Sequence, residues 1–190
     1  MVRITTTMKT YIALIRGINV GGNKKIKMAD LRQHCTSMGW SDVATYIQSG
    51  NLVFRHQEAE PKSIACELMG KIEEAFGFKA WVTVYSLTYW NQAIAAFPFA
   101  DIEDLNPSRT LLVFYEEKLT DDQQAVMQSI DLKNDRYVII EKVAYLYCTD
   151  GISNSPLADA TLQKKIKVEN TSRNWRTVLK LQEMANEISS

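Results

Sequence analysis

The residues of this sequence best suited to chemistry are cations and amides set among glycines. The segment Arg16-Gly-Ile-Asn-Val-Gly-Gly-Asn-Lys-Lys-Ile-Lys27 leaves an apolar run that reads as a strand and enters a pattern that reads as a helix. Gly17, Gly21 and Gly22 permit close backbone approach, and Arg16, Lys24, Lys25 and Lys27 supply positive charge, a combination that suits an anion. Asn19 adds a directed hydrogen bond, and Asn23 belongs to the same candidate set. The loop is not a Walker A motif. Gly17 and Gly22 have the right gap, but Asn23 stands where lysine is required, and no Lys-Ser/Thr pair follows. It is not G-x-G-x-x-G either. The plainer reading is a connector whose glycines meet turn geometry and whose lysines are solvated.

Two further segments join the candidate set. Gln48-Ser-Gly-Asn51 reads first as a β-hairpin turn, and its functional reading gives Ser49 and Asn51 hydrogen bonds to offer at a sheet edge. A nucleophilic Ser49 would need a base within reach, and the only histidines, His34 and His56, have no suggestive context. Thr171-Ser-Arg-Asn-Trp-Arg-Thr177 reads as a helix N-cap with Trp175 docking the helix; Arg173 and Asn174 are its ligand candidates. No catalytic residue is assigned. Asp101, Glu103, Asp104, Asp121 and Asp122 lack metal-loop spacing and read as solvated charge or helix-dipole partners. Cys35, Cys66 and Cys148 are far apart and form no C-x-x-C pair, so no zinc site or disulfide framework is expected. No metal and no cofactor are implied.

The elements that must position these residues follow from periodicity. Tyr11–Arg16 reads as a buried strand, and Met28, Leu31, Cys35 and Met38 mark a helix ended by Gly39. Val43–Gln48 and Leu52–Arg55 read as a hairpin. Pro61 opens a helix carrying Ile64, Leu68, Ile72 and Phe76 up to Gly77. Ala80–Tyr85 alternates as a strand, and 88–96 reads as helix. The aromatic set Trp81, Tyr85, Tyr89 and Trp90 reads as core or lobe interface. Residues 11–85 therefore run β-α-β-β-α-β, the ferredoxin-like order, with an antiparallel sheet and both helices on one face.

A second set follows a connector at 99–107. Thr110–Tyr115 is a strand. Thr120 with Gln123 is a capping box opening a helix to about Ile130. Tyr137–Ile140 and Ala144–Cys148 form a hairpin, and Ser155-Pro156 opens a helix with Leu157, Leu162 and Ile166. Thr171 or Ser172 caps a last helix with Trp175, Val178, Leu181, Ala185 and Ile188 on one face. The order β-α-β-β-α recurs without its closing strand. The expected fold is α+β with two small lobes: a ferredoxin-like lobe over 8–98, and a related incomplete repeat with a C-terminal helix over 108–190.

Apolar residues make up 46% of the 190-residue chain, enough for a real core. Lysine and arginine balance aspartate and glutamate at 22 each, which argues against strong unspecific attraction to nucleic acid or anionic membrane. No apolar run approaches a membrane span, and no membrane partner is expected. Met1 to Thr7 has no apolar h-region and reads as a disordered leader, with Met8 a candidate start. Reduced thiols and a cytoplasmic location are the simple expectation.

Three segments together carry a resemblance. Tyr11-Ile-Ala-Leu-Ile-Arg-Gly-Ile-Asn-Val-Gly-Gly22 with Lys27-Met28, Thr45-Tyr-Ile-Gln-Ser-Gly-Asn51 with Val53-Phe54, and Thr171-Ser-Arg-Asn-Trp175 with Thr177 resemble an uncharacterised bacterial domain-of-unknown-function family with an Arg-Gly-Ile-Asn-Val-Gly-Gly signature. The resemblance runs from about residue 8 to 188. The third segment departs from the family pattern at Arg176, where Asn is usual, and at Ser172, where Thr is usual. The resemblance implies a two-lobed α+β protein and brings no activity, substrate or cofactor. Convergence of the three polar segments on one surface is an expectation.

The leading functional reading is a protein that binds a small anionic or nucleotide-like ligand. The βαββαβ order is shared with RNA-recognition modules, so single-stranded nucleic acid is an alternative partner, though not the favoured one. The strands that would stack bases offer only Tyr11 and Phe54. A small metal-independent enzyme with a lysine base is a third reading, its reaction unidentified.

Overall fold

The computed structural model describes residues 7–189. The expected leader lies outside them except for Thr7, whose carbonyl accepts from the Glu58 N–H at 2.9 Å. The chain divides into two units: residues up to Gln92 together with those from Lys180, and Ala93–Leu179.

In the first unit the elements are β1 (Met8–Arg16), α1 (Met28–Ser37), β2 (Ser41–Tyr46), β3 (Asn51–Gln57), α2 (Pro61–Phe76) and β4 (Trp81–Ser86). The sheet order is β2-β3-β1-β4, antiparallel throughout. β1 is paired along both edges, and its apolar run is buried on both faces. Tyr11, Ala13 and Ile15 meet the core shared with α1 and α2, while Ile12 and Leu14 occupy the opposite face. The apolar stripes Met28–Leu31–Cys35 and Ile64–Leu68–Ile72 close that core. The Trp40 ring stacks on Phe54 at 4.1 Å, and its Nε1–H donates to Glu67 Oε1 at 3.2 Å. Pro61 opens α2, and Gly77 at φ +75 ends it with its N–H on the Glu73 carbonyl.

The second unit holds β5 (Thr110–Tyr115), α4 (Asp121–Gln128), β6 (Arg136–Ile140), β7 (Val143–Tyr147), α5 (Ala160–Ile166) and β8 (Asn170–Asn174). Its sheet order, β6-β7-β5-β8, repeats that of the first. The α+β fold class with two similar lobes therefore holds, and the second lobe also carries a closing strand. Thr171 or Ser172, expected to cap the last helix, instead lies in a strand whose residues 170–174 pair with β5 from Leu111↔Asn174 to Tyr115↔Asn170. Asn-Thr-Ser-Arg-Asn has little strand propensity of its own; the edge of β5 recruits it. The capping box forms as expected: Gln123 N–H donates to Thr120 Oγ1, and Thr120 N–H to Gln123 Oε1. The helix expected from Ser155 is instead one 3-10 turn, Pro156–Ala158, and Asp159 opens α5 by accepting from Thr161 N–H at 2.6 Å.

Two helices cross the unit boundary, α3 (Leu87–Ala95) and α6 (Trp175–Ser189). The C-terminal helix was expected wholly in the second lobe. Its later half belongs with the first unit, where Gln182 Nε2 donates to Asn91 Oδ1 and the Ser189 hydroxyl to Thr10 Oγ1, both at 2.7 Å.

Candidate functional site

The basic loop is a braced structure. Val20 and Asn23 form a β-bridge around Gly21 and Gly22, whose φ values of +60 and +81 suit a tight primed turn. A Cβ at either glycine would meet nothing within 4 Å, so these residues serve backbone conformation rather than close packing. Asn19, itself at φ +57, closes the loop: its Nδ2 donates to the carbonyls of Ile26 (3.0 Å) and Gln48 (2.7 Å), and its Oδ1 accepts from the Ile26 N–H (2.9 Å). Both amide hydrogens are thereby used. Asn19 is a brace tying the loop to the β2–β3 turn rather than a group directed at a ligand. Lys24 is also tied back, donating to the Lys79 carbonyl at 2.7 Å with its ammonium 5.9 Å from the Phe78 ring centre. Lys25 and Lys27 are exposed, as are Arg16 and Asn23.

The β2–β3 connection differs from its sequence reading. The turn is residues 47–50, and Asn51 is the first, fully buried residue of β3. Asn51 Nδ2 donates to the Tyr46 carbonyl (3.1 Å) and Ser49 Oγ (3.0 Å). Gly50 at φ +75 is obligatory: a Cβ there would lie 2.8 Å from Ile15 Cβ and 2.9 Å from Ile15 O. Its carbonyl accepts from Ile15 N–H at 2.7 Å, seating the turn against the end of β1.

Sheet register then assembles a group that the sequence did not suggest. Arg16 is opposite Trp81 on β4, and Leu14 is flanked by Asn51 on one side and Thr83 on the other. Directly opposed residues share a face, here the one away from α1 and α2. Trp81 Nε1 and Thr83 Oγ1 are shut off from solvent and have no hydrogen-bond partner among the described residues. Trp81 reads from sequence as core or interface, and its spacing carries no sign of the unpartnered indole. The other aromatics of that set do pack: Trp90 is buried, and Tyr85 stacks on Tyr89 at 5.4 Å.

Arg173 and Asn174 lie on β8 of the second unit and point to opposite faces of its sheet, being paired with Leu112 and Leu111. Arg173 Nη1 donates to Thr171 Oγ1 (2.9 Å) and the Ser172 carbonyl (2.8 Å). Asn174 Nδ2 donates to the Ser108 carbonyl, and its Oδ1 accepts from the Arg176 N–H, so its amide caps α6 and anchors β8.

Elsewhere the polar groups serve structure. An open depression of about 600 Å³ in the second unit is lined by Asp131, Lys133, Asn154, Ser155 and Asp159 among others. There Asp131, Ser155 and Asp159 accept from nearby backbone N–H groups, as turn and cap residues do. Among the described residues no group of three His, Cys, Asp or Glu side chains is arranged to hold a metal ion, and no helix is long and apolar enough to cross a membrane. Tyr11 (2% exposed) and Phe54 (0%) are packed beneath the helices, which leaves Ile12, Leu14 and Val53 on the face where a base-stacking module displays aromatics.

Two ferredoxin-like units, one bearing a braced basic loop, define the molecule. The chain belongs to the family described as Protein of unknown function (DUF1697), whose model matches residues 8–145. Among solved structures it is similar to the conserved bacterial protein SP0830 from Streptococcus pneumoniae, with 28% identity, a TM-score of 0.76 and coverage of 94% of this chain and 99% of that one. Among curated proteins none matches. Family and neighbour alike are described without a function.

Proposed function

We propose that this protein binds a small anionic ligand, nucleotide-like molecules included, at the loop end of the first unit's sheet. The observation that carries this is the bracing of loop 17–27. Three hydrogen bonds from one asparagine side chain hold it closed and fasten it to the neighbouring turn. A connector needs no such rigidity, whereas a site does, since pre-ordering lowers the cost of binding. The braced segment contains no acidic residue from Arg16 to Ala29 and presents exposed Arg16, Lys25 and Lys27. Ser49 and Asn51 flank it, and Gly21 and Gly22 leave backbone accessible.

The test is a thermal-shift panel of nucleotides, sugar phosphates, inorganic anions and short single-stranded RNA. A bound ligand at ~100 times its Kd adds ~2.7 kcal/mol to stability, a readable rise in Tm. Lys25→Ala should leave the unliganded Tm unchanged and weaken binding about tenfold, the loss of one charged contact. Asn19→Ala should cost about 2 kcal/mol of stability and reduce binding further by loosening the loop. No ligand-induced rise with any compound, or rises indifferent to Lys25 and Asn19, would remove the proposal. A rise confined to RNA and steeply salt-dependent would transfer the site to nucleic acid.

A further inference from the structure

We infer that Trp81 and Thr83 form the inner wall of a site for one oxygen-rich acceptor group, a carboxylate or a phosphate, on the sheet face away from α1 and α2. The inference rests on the anion-binding reading above and adds where the ligand's buried end is held. Trp81 Nε1 is an obligate donor with no alternative role, and Thr83 Oγ1 both donates and accepts. Each is shielded from water and unpartnered among the described residues. Such an atom forfeits its hydration without compensation, so folded proteins rarely keep one, and here two occur at alternate positions of one strand, on one face. Trp81 is paired with Arg16, and Thr83 is paired with Leu14, beyond which lies buried Asn51. Two donors on one face of one strand call for an acceptor with more than one oxygen, which carboxylate and phosphate groups supply. A neutral amide offers a single acceptor oxygen.

Were the Thr83 hydroxyl satisfied within the fold, removing it would destabilise the protein. Thr83→Val keeps shape and removes the stranded hydroxyl, so it should raise the Tm of the ligand-free protein by about 2–4 °C. The same variant, and Trp81→Phe, should lose most of the ligand-induced rise that the parent shows. The full-length protein would be titrated with inorganic phosphate in one arm and acetate and citrate in the other. Indole emission would be read beside Tm, and the parent-minus-Trp81→Phe difference isolates Trp81. A phosphate response lost in both variants supports the inference and assigns phosphate; a carboxylate response lost in both supports it and assigns carboxylate. A response retained in both variants but lost in Lys25→Ala overturns the inner wall and leaves the loop site standing. A response in no protein overturns the wall, while the loop site then stands or falls with the nucleotides and sugar phosphates of the wider panel. A Thr83→Val protein less stable than the parent shows that the hydroxyl is satisfied, and the inference fails.

Discussion

β1 and β5 occupy the same central place in their sheets, yet the chain leaves them by different routes. After β5 it takes residues 116–120, beginning with two glutamates, buries Leu119 and enters α4 through a complete capping box. After β1 it takes residues 17–27, rich in glycine and lysine, and enters α1 with no side-chain cap. The short route is what the topology requires: a helix start, satisfied locally. The long route uses residues at positive φ, an exposed Gly21-Gly22 turn and an asparagine brace on a loop that buries only Ile18 and Ile26. One topology with two connectors separates the parts that make the fold from the part available for binding, since sites are grafted onto folds rather than dictated by them.

The hairpins extend the contrast and supply the largest predicted effect. Gly50 is pressed against Ile15, while the second unit's hairpin turns at Glu141, which carries a side chain at φ +52. Gly50→Ala should therefore cost about 3 kcal/mol or more in urea denaturation, combining a strained φ with a backbone clash. A loss below about 1 kcal/mol would mean that the turn can move off β1, and the claim of a rigid loop end would go with it.

Next in size is the alkaline response, which each unit contributes through buried groups. Burial, with the charge of Glu67 adding, pushes the Cys35 thiol up from 9.0 to about 12. Burial likewise pushes Tyr115 from 10.0 to about 12 against the opposing hydrogen bond with Gln163, and raises Cys148 against its bond with Ser155. An unfolded thiol releases its proton above about pH 9, whereas the folded one keeps it. The folded state then holds more protons, so stability falls as pH rises, by roughly 1.4 kcal/mol per pH unit for each such group. Between pH 9 and 10 only the thiols act; above 10 Tyr115 joins them. Chemical denaturation from pH 8 to 11 should show that onset, and Cys35→Ala should flatten its first part. An unchanged slope in Cys35→Ala would place the proton release elsewhere.

The smallest effect sharpens the comparison at the helix starts. Thr120→Ala removes one half of the capping box and should cost about 1 kcal/mol. Lys27→Ala, at the matching position before α1, should cost nothing measurable, because no cap bond is made there. Equal losses would erase the distinction between the two connectors.

Sequence by itself determined the parts whose stabilisation lies within a few residues. The 3.6-residue stripes of α1, α2 and α6, the apolar run of β1, the Thr120–Gln123 box, the start at Pro61 and the stop at Gly77 all appear where the pattern puts them. Their reasons, side-chain periodicity and local backbone bonding, travel with the chain. Tertiary structure decided the rest. Residues 170–174 are a strand only because β5 offers an edge, so their polar sequence reads as a cap when seen alone. The last helix divides between units because Thr10 and Asn91 lie where its later half can reach them. Asn19 acts as a brace through Gln48, a partner far along the chain, so its amide looked free for a ligand. The grouping of Arg16, Asn51, Trp81 and Thr83 on one face exists only through the register of three strands. Register is a long-range property: a one-residue slip would send each of these side chains to the other face, and nothing in the local spacing records which face was chosen.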